Sequence, residues 1–336
     1  MEAKHAKYIR RWLVVIGLMI FFMVIVGGLT RLTQSGLSMV EWKPIMGIIP
    51  PLHESEWMQA FEKYKQYPEY KVLRPTMTLT EFKFIFFWEY FHRVIGRLIG
   101  IVFFIPLMIF HLKGWLTRKW KIKLWTGFAL GGAQGLMGWY MVKSGLVDVP
   151  YVSHFRLAAH LGLAFFIFGY LYWLYLMLKK PLTQSFDSKL FKISVIGFLL
   201  LTLQILFGAF VAGLDAGWGY NTFPKMNGSW VPFAFSFQEV IMSKAGVQWL
   251  HRLWGTLLLL YFLVAWVWTV KQKSTAFIKS LSAWSILTVF QYIVGVLTLI
   301  WVVPVWLASF HQVMAFILIA VGLTCVYFAR SEDSTK

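Results

Sequence analysis

Phe86-Phe-Trp-Glu-Tyr-Phe-His-Arg-Val-Ile-Gly-Arg-Leu-Ile-Gly-Ile-Val-Phe-Phe-Ile-Pro-Leu-Met-Ile-Phe110 decides how the rest of the chain is read. The run is long and apolar enough for a helix to cross a hydrocarbon core, which takes about 20 residues. Its ionisable residues, Glu89, His92, Arg93 and Arg97, crowd one end. Comparable runs lie at roughly 11–29, 122–142, 155–178, 191–213, 247–270, 278–300 and 306–329. The expected fold is all-α: a polytopic membrane protein of eight transmembrane helices.

Composition points the same way. Of the 336 residues, 59% are hydrophobic and only 14% charged, whereas soluble globular chains carry about 25% charged residues. Aromatics make up 19%, including 18 Trp and 31 Phe, which suits interfacial belts and a bulky apolar ligand. A single cysteine, Cys325, excludes an internal disulfide, a zinc–thiolate site and an iron–sulfur cluster. No secretory cleavage pattern follows the first run and no Arg- and Ser-rich transit sequence precedes it, so a retained span in a bacterial-type inner membrane is expected.

The net charge of +18 resembles a nucleic-acid footprint until it is mapped onto the runs. Eighteen of the 32 Lys and Arg fall in the N-terminal tail (Lys4, Lys7, Arg10, Arg11), in the links after the second, fourth and sixth runs, and at the C-terminus. By the positive-inside rule both termini are cytoplasmic. The basic excess reports topology, and no nucleic-acid partner is expected. Loop 30–85 is then on the outer side and too long for a plain connection. Within it, Trp57, Phe61 and Tyr64 recur at helical spacing and predict a short amphipathic helix on the outer surface. Segment 213–246, rich in Gly, Asn, Pro and Trp, is expected to be irregular and packed on the protein.

The deciding stretch has an echo. Glu89-Tyr-Phe-His-Arg-Val-Ile-Gly96 is repeated as Gln248-Trp-Leu-His-Arg-Leu-Trp-Gly255, each at the start of an even-numbered run. His160-Leu-Gly-Leu-Ala164 pairs with His311-Gln-Val-Met-Ala315. Gln134 and Gly138 pair with Gln291 and Gly295, and Gly27 and Gly36 with Gly208 and Gly217. Four matches in one order predict two pseudo-symmetric four-helix halves, 1–180 and 190–330, in parallel orientation. His92, His160, His251 and His311 then all lie one to two turns from the outer ends of their spans, at one depth. A lone buried histidine is more often a packing residue, but four at equivalent repeat positions point to ligation.

Zinc or di-iron sites normally add carboxylates or a third histidine. A porphyrin iron needs only axial ligands from opposite faces, so one haem per half is the better reading. Gly96, Gly255, Ala164 and Ala315, one turn beyond each histidine, leave room for a flat macrocycle or serve helix packing. Arg93, Arg97, Arg156 and Arg252 suit either propionates or interfacial anchoring. The halves differ three residues before the first histidine, where Glu89 faces Gln248 in the repeat. Positions i and i+3 share a helix face, and a carboxylate beside a porphyrin can exchange protons where a glutamine cannot. Chemistry is therefore expected in the N-terminal half and a redox haem in the C-terminal half; a Glu89 that simply faces outer water is the plainer alternative.

Several stretches together resemble the haem A synthase family over nearly the whole chain. They are Gly27-Gly-Leu-Thr-Arg-Leu-Thr-Gln-Ser-Gly-Leu-Ser38 with Glu41-Trp-Lys-Pro44, Glu89 to Arg97, and Leu146-Val-Asp-Val-Pro150 leading to Ser153–His160. To these are added Ala212–Gly217, Tyr220–Gly228, Gln248–Arg252 and His311-Gln312. The resemblance implies a resident haem b on His251 and His311, with haem O as the substrate flanked by His92 and His160. It implies Glu89 as the essential carboxylate and haem A as the product, through successive hydroxylation of one porphyrin methyl to a formyl. Haem O synthase, a farnesyltransferase, is the implied donor of substrate; an electron donor and molecular oxygen are also required, and a homo-oligomer is compatible. Some members carry a cysteine pair in the first outer loop. This chain has none there and resembles the cysteine-free branch with a long first outer loop.

Rival readings use the same histidines. A di-haem b-type electron-transfer subunit of a quinol oxidoreductase needs no Glu89, and a haem carrier performs no oxidation. The resemblance ranks haem A synthase first.

Overall fold

The computed structural model describes residues 2–41, 49–146, 150–179, 188–270 and 275–331. Trp42 to Pro44, Val147 to Val149, and Lys180, Lys271, Lys273 and Lys336 of the sequence reading lie outside these residues. The described residues form ten α-helices: α1 (Ala3–Leu32), α2 (Glu54–Tyr64), α3 (Leu79–Leu112), α4 (Arg118–Lys143), α5 (His154–Lys179), α6 (Ser188–Gly213), α7 (Phe237–Met242), α8 (Lys244–Thr269), α9 (Thr275–Ile300) and α10 (Val305–Ser331). Seven of them (α1, α3, α5, α6, α8, α9 and α10) are long and apolar enough to cross a membrane. The protein is a multi-pass, all-helical membrane protein.

The remaining expected span, α4, is a 26-residue helix in the anticipated place, but it is not selected by apolarity. Its middle carries Gly127, Gly131, Gly132, Gly135, Gly138 and Gln134 in place of aliphatic residues. Two of these are needed against a histidine, as described below.

The helix built on the deciding stretch, α3, is longer than expected. Thr78 caps it: its hydroxyl accepts from Glu81 N at 3.3 Å, and Glu81 Oε2 accepts from Thr78 N at 2.8 Å. This reciprocal cap adds two turns before Phe86, and at about 1.5 Å per residue the helix outruns a bilayer core. The added turns carry the loop. Phe82 stacks on Phe61 at 5.0 Å and meets Tyr64 at 5.2 Å, while Trp57 meets Phe86 edge-on at 5.0 Å. The apolar face of α2 is thus covered by α3, and Phe61 and Tyr64 are buried.

By contact the chain divides into two compact units: residues 1–8 with 15–164, and residues 9–14 with 165–336. In the first, α4 and α2 pack on α3. In the second, α10 packs on α9 and α6, and α8 on α6 and α9, around the fully buried Trp284 and Phe262, whose rings lie 4.4 Å apart.

Candidate functional site

Each of the four repeat histidines is pressed against a glycine of the preceding long helix. In the first unit a β-carbon at Gly27 of α1 would lie 3.1 Å from His92 Nε2, and one at Gly138 of α4 would lie 3.0 Å from His160 Cε1. In the second unit a β-carbon at Gly208 of α6 would lie 3.1 Å from His251 Cε1, and one at Gly295 of α9 would lie 2.8 Å from His311 Cε1. Any side chain at these positions would push the ring away from the neighbouring backbone, so the glycines set where the rings stand.

One turn before three of these glycines stands a glutamine on the same helix face. Gln134 Nε2 donates to the His160 carbonyl at 3.0 Å and lies 3.2 Å from ring Nδ1. Gln204 Nε2 donates to the His251 carbonyl at 3.1 Å and lies 3.4 Å from Nε2. Gln291 Nε2 donates to the His311 carbonyl at 2.9 Å and lies 3.4 Å from Nε2. Gln204 and this use of the amide were missed in the sequence; the signal that could have found them is Gln-x-x-x-Gly repeated in α4, α6 and α9.

Glu89 is buried at 3% exposure, with both oxygens engaged. Oε2 accepts from Ser38 Oγ at 2.7 Å and Met39 N at 2.8 Å, and Oε1 accepts from Arg93 at 2.5 Å. Arg93 also donates to Met39 O at 3.1 Å. Glu89 facing open water is thereby excluded for this structure. Gln248 holds the equivalent place with reversed polarity: its Nε2 donates to Ala216 O at 2.8 Å and Gly219 O at 2.6 Å, and Oε1 accepts from Arg252 at 2.8 Å. Arg252 continues to Tyr220 O and Thr222 O. Asn221 ties the same loop to Leu299 O at 2.8 Å. Of segment 213–246, expected to be irregular, residues 214–236 are largely so and are pinned to the helices, but Phe237–Met242 forms α7 and α8 begins at Lys244.

The fit to an iron porphyrin can be tested on the second unit. The His251 and His311 rings are 6.4 Å apart, centroid to centroid, and nearly perpendicular at 82°. Nδ1 of both is buried without a hydrogen-bond partner among the described residues, as are Oε1 of Gln204 and Gln291. Two buried imidazoles with centroids 6.4 Å apart and an unpartnered nitrogen on each are a donor set that could hold an iron porphyrin. In the first unit His92 and His160 are electrostatic neighbours, and Gln134 Oε1 is likewise buried and unused. Among the described residues there is no cluster of three or more His, Cys, Asp or Glu side chains that could hold a metal ion.

Two of the small residues beyond the histidines lie close to a neighbouring helix. A β-carbon at Gly96 would lie 3.3 Å from Met23 Cε, and one at Gly255 2.9 Å from Gln204 Nε2. Arg156 donates to Tyr140 O at 2.9 Å and lies over the Tyr140 ring. Arg97 sits one turn beyond Arg93 on α3. The other histidines have local roles: His5 stacks on Trp115, His53 caps α2, His111 accepts from Trp125 Nε1, and His154 packs on Phe155. Cys325 is buried, with its Sγ 3.6 Å from Ser194 Oγ.

A family model described as cytochrome oxidase assembly protein matches residues 10–323. Among curated proteins, the chain is similar to a heme A synthase of Paramagnetospirillum magneticum, 44% identical over 327 residues covering 94% of this chain and 92% of that one. It is similar to a heme A synthase of Nitrosospira multiformis, 44% identical over 332 residues and covering 94% and 92%. A third, from a Wolbachia of Brugia malayi, is 39% identical over 341 residues and covers 99% and 100%. Matched by that family model over most of its length and by relatives over nearly all of theirs, the chain belongs to the COX15-CtaA family of cytochrome oxidase assembly proteins.

Proposed function

We propose that this protein is a haem A synthase, an oxidoreductase that converts a methyl group of haem O into a formyl group by successive hydroxylations, supplying haem A to cytochrome oxidase. It works in the inner (cell) membrane, with both termini cytoplasmic and the histidines near the outer face. This orientation counts α4 as an eighth span on its length and follows the distribution of Lys and Arg.

The two halves divide the labour. His251 and His311 of the C-terminal half, 190–330, hold a resident haem b; His92 and His160 of the N-terminal half, 1–180, flank the substrate haem O. When bound, haem b supplies one-electron transfer. The observation that carries the reading is an asymmetry between otherwise matching sites. Both halves press two histidines on glycines, but only the N-terminal one has a buried carboxylate, Glu89, three residues before its first histidine.

Each hydroxylation consumes a pair of electrons and a pair of protons with one dioxygen. Glu89 holds and moves protons through Oε2, which already accepts from Ser38 Oγ, while Arg93 holds Oε1 in place. Arg93, Arg97 and Arg252, on the helices that carry His92 and His251, are the candidates to pair with the carboxylate side arms of a porphyrin. The glycine contacts orient the rings, and the surrounding apolar helices exclude water. Haem O synthase, the farnesyltransferase, hands over so apolar a ligand within the membrane.

The test is haem extraction and chromatography on protein expressed with a haem O supply, wild type beside Glu89→Gln. The expected result is haem b plus haem A from wild type, with haem O or a partly oxidised intermediate accumulating in the variant. Haem b alone in both, with no farnesylated haem, would overturn the reading in favour of an electron-transfer subunit.

A further inference from the structure

One buried acid takes no part in the chemistry assigned so far. Glu69, in the loop between α2 and α3, is 5% exposed, although Lys71, Val72 and Leu73 beside it are exposed. Its Oε1 stands 3.8 Å from Arg74 Nε, and Arg74 donates through Nη2 to Gln34 O at 2.8 Å. Glu69 Oε2 is buried without a hydrogen-bond partner among the described residues. So is the hydroxyl of Tyr64, which stands beside it. A carboxyl kept only to fasten the loop would be fully paired, because a buried oxygen left unsatisfied is costly. A phenylalanine would fill the place of Tyr64 without that cost.

This cluster neighbours Glu89. The segment Gln34 to Met39 that receives Arg74 at one end gives Ser38 Oγ and Met39 N to Glu89 Oε2 at the other. Met39 also packs against the buried group that contains Tyr64. The charge of Glu89 bears on both Glu69 and Tyr64. Burial pushes the Glu69 carboxyl up from 4.5 to about 7, with Arg74 opposing and Glu89 adding to the rise. A group in that range holds a proton and can still give it up.

We propose that Glu69 and Tyr64 form the proton inlet of Glu89, a relay from the water around the loop to the reacting half. The inference rests on the reading that Glu89 moves protons for each hydroxylation. It adds where those protons enter. In each delivery the Glu69 acid gives its proton towards Tyr64, and the Tyr64 hydroxyl passes its own proton on to the Glu89 carboxylate. Glu69 then recovers a proton from water. Tyr64 ends as it began, and no electron moves. Tyr64 makes no direct hydrogen bond to either carboxyl, so water completes both gaps. Both residues act through Glu89 and are positioning residues for its proton.

The experiment measures haem A formation by membranes containing the full-length protein, given haem O, dioxygen and a chemical reductant. Tyr64→Phe keeps the ring and removes only the hydroxyl; Glu69→Gln keeps the shape and removes the acid. Each is expected to lower turnover about 10-fold or more, short of the loss at Glu89 itself, with KM for haem O and haem b content unchanged. Wild-type turnover should fall as pH rises through about 7, where Glu69 loses its proton, and Glu69→Gln should lack that limb. The solvent deuterium isotope effect on turnover should rise in both variants, because proton delivery becomes limiting. The loop of Tyr64→Phe should resist proteolysis as wild type does, which separates delivery from loop structure. Full turnover in either variant would overturn the proposal. If Glu69→Gln does not fold, Tyr64→Phe decides, since the hydroxyl it removes has no partner among the described residues. Failure of the underlying reading looks different: wild-type membranes would form no haem A.

Discussion

Ser38 donates its hydroxyl to Glu89 Oε2 at 2.7 Å, and the same oxygen takes the following backbone amide, Met39 N, at 2.8 Å. Two donors from the loop after α1 thus meet one acceptor on α3, about 50 residues further along the chain. In the second unit the loop after α6 presents carbonyls to Gln248. The glutamate and glutamine of the repeat are therefore matched to loops of opposite polarity as well as to different chemistry.

Exchanging them should hurt both units, for different reasons. Glu89→Gln is expected to lower turnover by about 100-fold or more, the usual range for loss of a proton-transferring group, while haem b content stays at the wild-type level. Gln248→Glu would set a carboxylate against two carbonyl oxygens and cost about 1–3 kcal/mol. A lower thermal midpoint with loss of haem b is the expected readout.

Removing one ligand from each pair separates the assigned sites. His311→Ala should purify without haem b and retain binding of added haem A. His160→Ala should keep haem b and lose low-spin binding of haem A. Absorbance after haem titration checks both, and loss of both haems from each variant would contradict two independent sites.

Glycine contacts rank the next pair of variants. Gly295→Ala places a β-carbon 2.8 Å from His311 Cε1, and Gly208→Ala places one 3.1 Å from His251. Overpacking of this kind costs about 1–3 kcal/mol. Haem b occupancy should fall in both and further in Gly295→Ala, measured as haem per protein. Equal, full occupancy would show that the rings do not depend on these contacts.

Loop 54–74 carries a pH dependence of unusual sign. Burial pushes the Glu69 carboxyl up from 4.5 to about 7, with Arg74 opposing and the charge of Glu89 adding to the rise; Tyr64 stands beside it. Between these values the folded loop binds a proton that the unfolded loop has lost. Local stability is therefore complete below 4.5, falls as pH rises to about 7, and changes no further above it. Limited proteolysis of the loop should be faster near about pH 8 than near about pH 5 after correction for protease activity, and Glu69→Gln should remove the difference. A wild-type loop equally resistant at both would refute the assignment.

Much of the architecture was legible locally. Seven of the eight apolar runs became helices apolar enough to span, because apolarity over about 20 consecutive residues is a property of neighbours in the chain. The amphipathic helix at Trp57, Phe61 and Tyr64 was legible for the same reason, though not its burial on α3, which required the capped extension at Thr78. The four histidines were found through the repeat. Gln204 was not, since its meaning lies in which residue of another helix it touches.

By itself the sequence determined the places of the long helices, the histidine positions and the family. These depend on residue type and spacing along one segment, where helical periodicity converts order into geometry. Only the tertiary structure decided that Glu89 closes on Ser38 and Met39, that each of the four repeat histidines leans on a glycine, and that Gln134, Gln204 and Gln291 donate to histidine carbonyls. Those contacts join segments tens of residues apart. Their partners are chosen by how whole helices pack, because a buried polar atom must find its donor or acceptor wherever the fold brings one near.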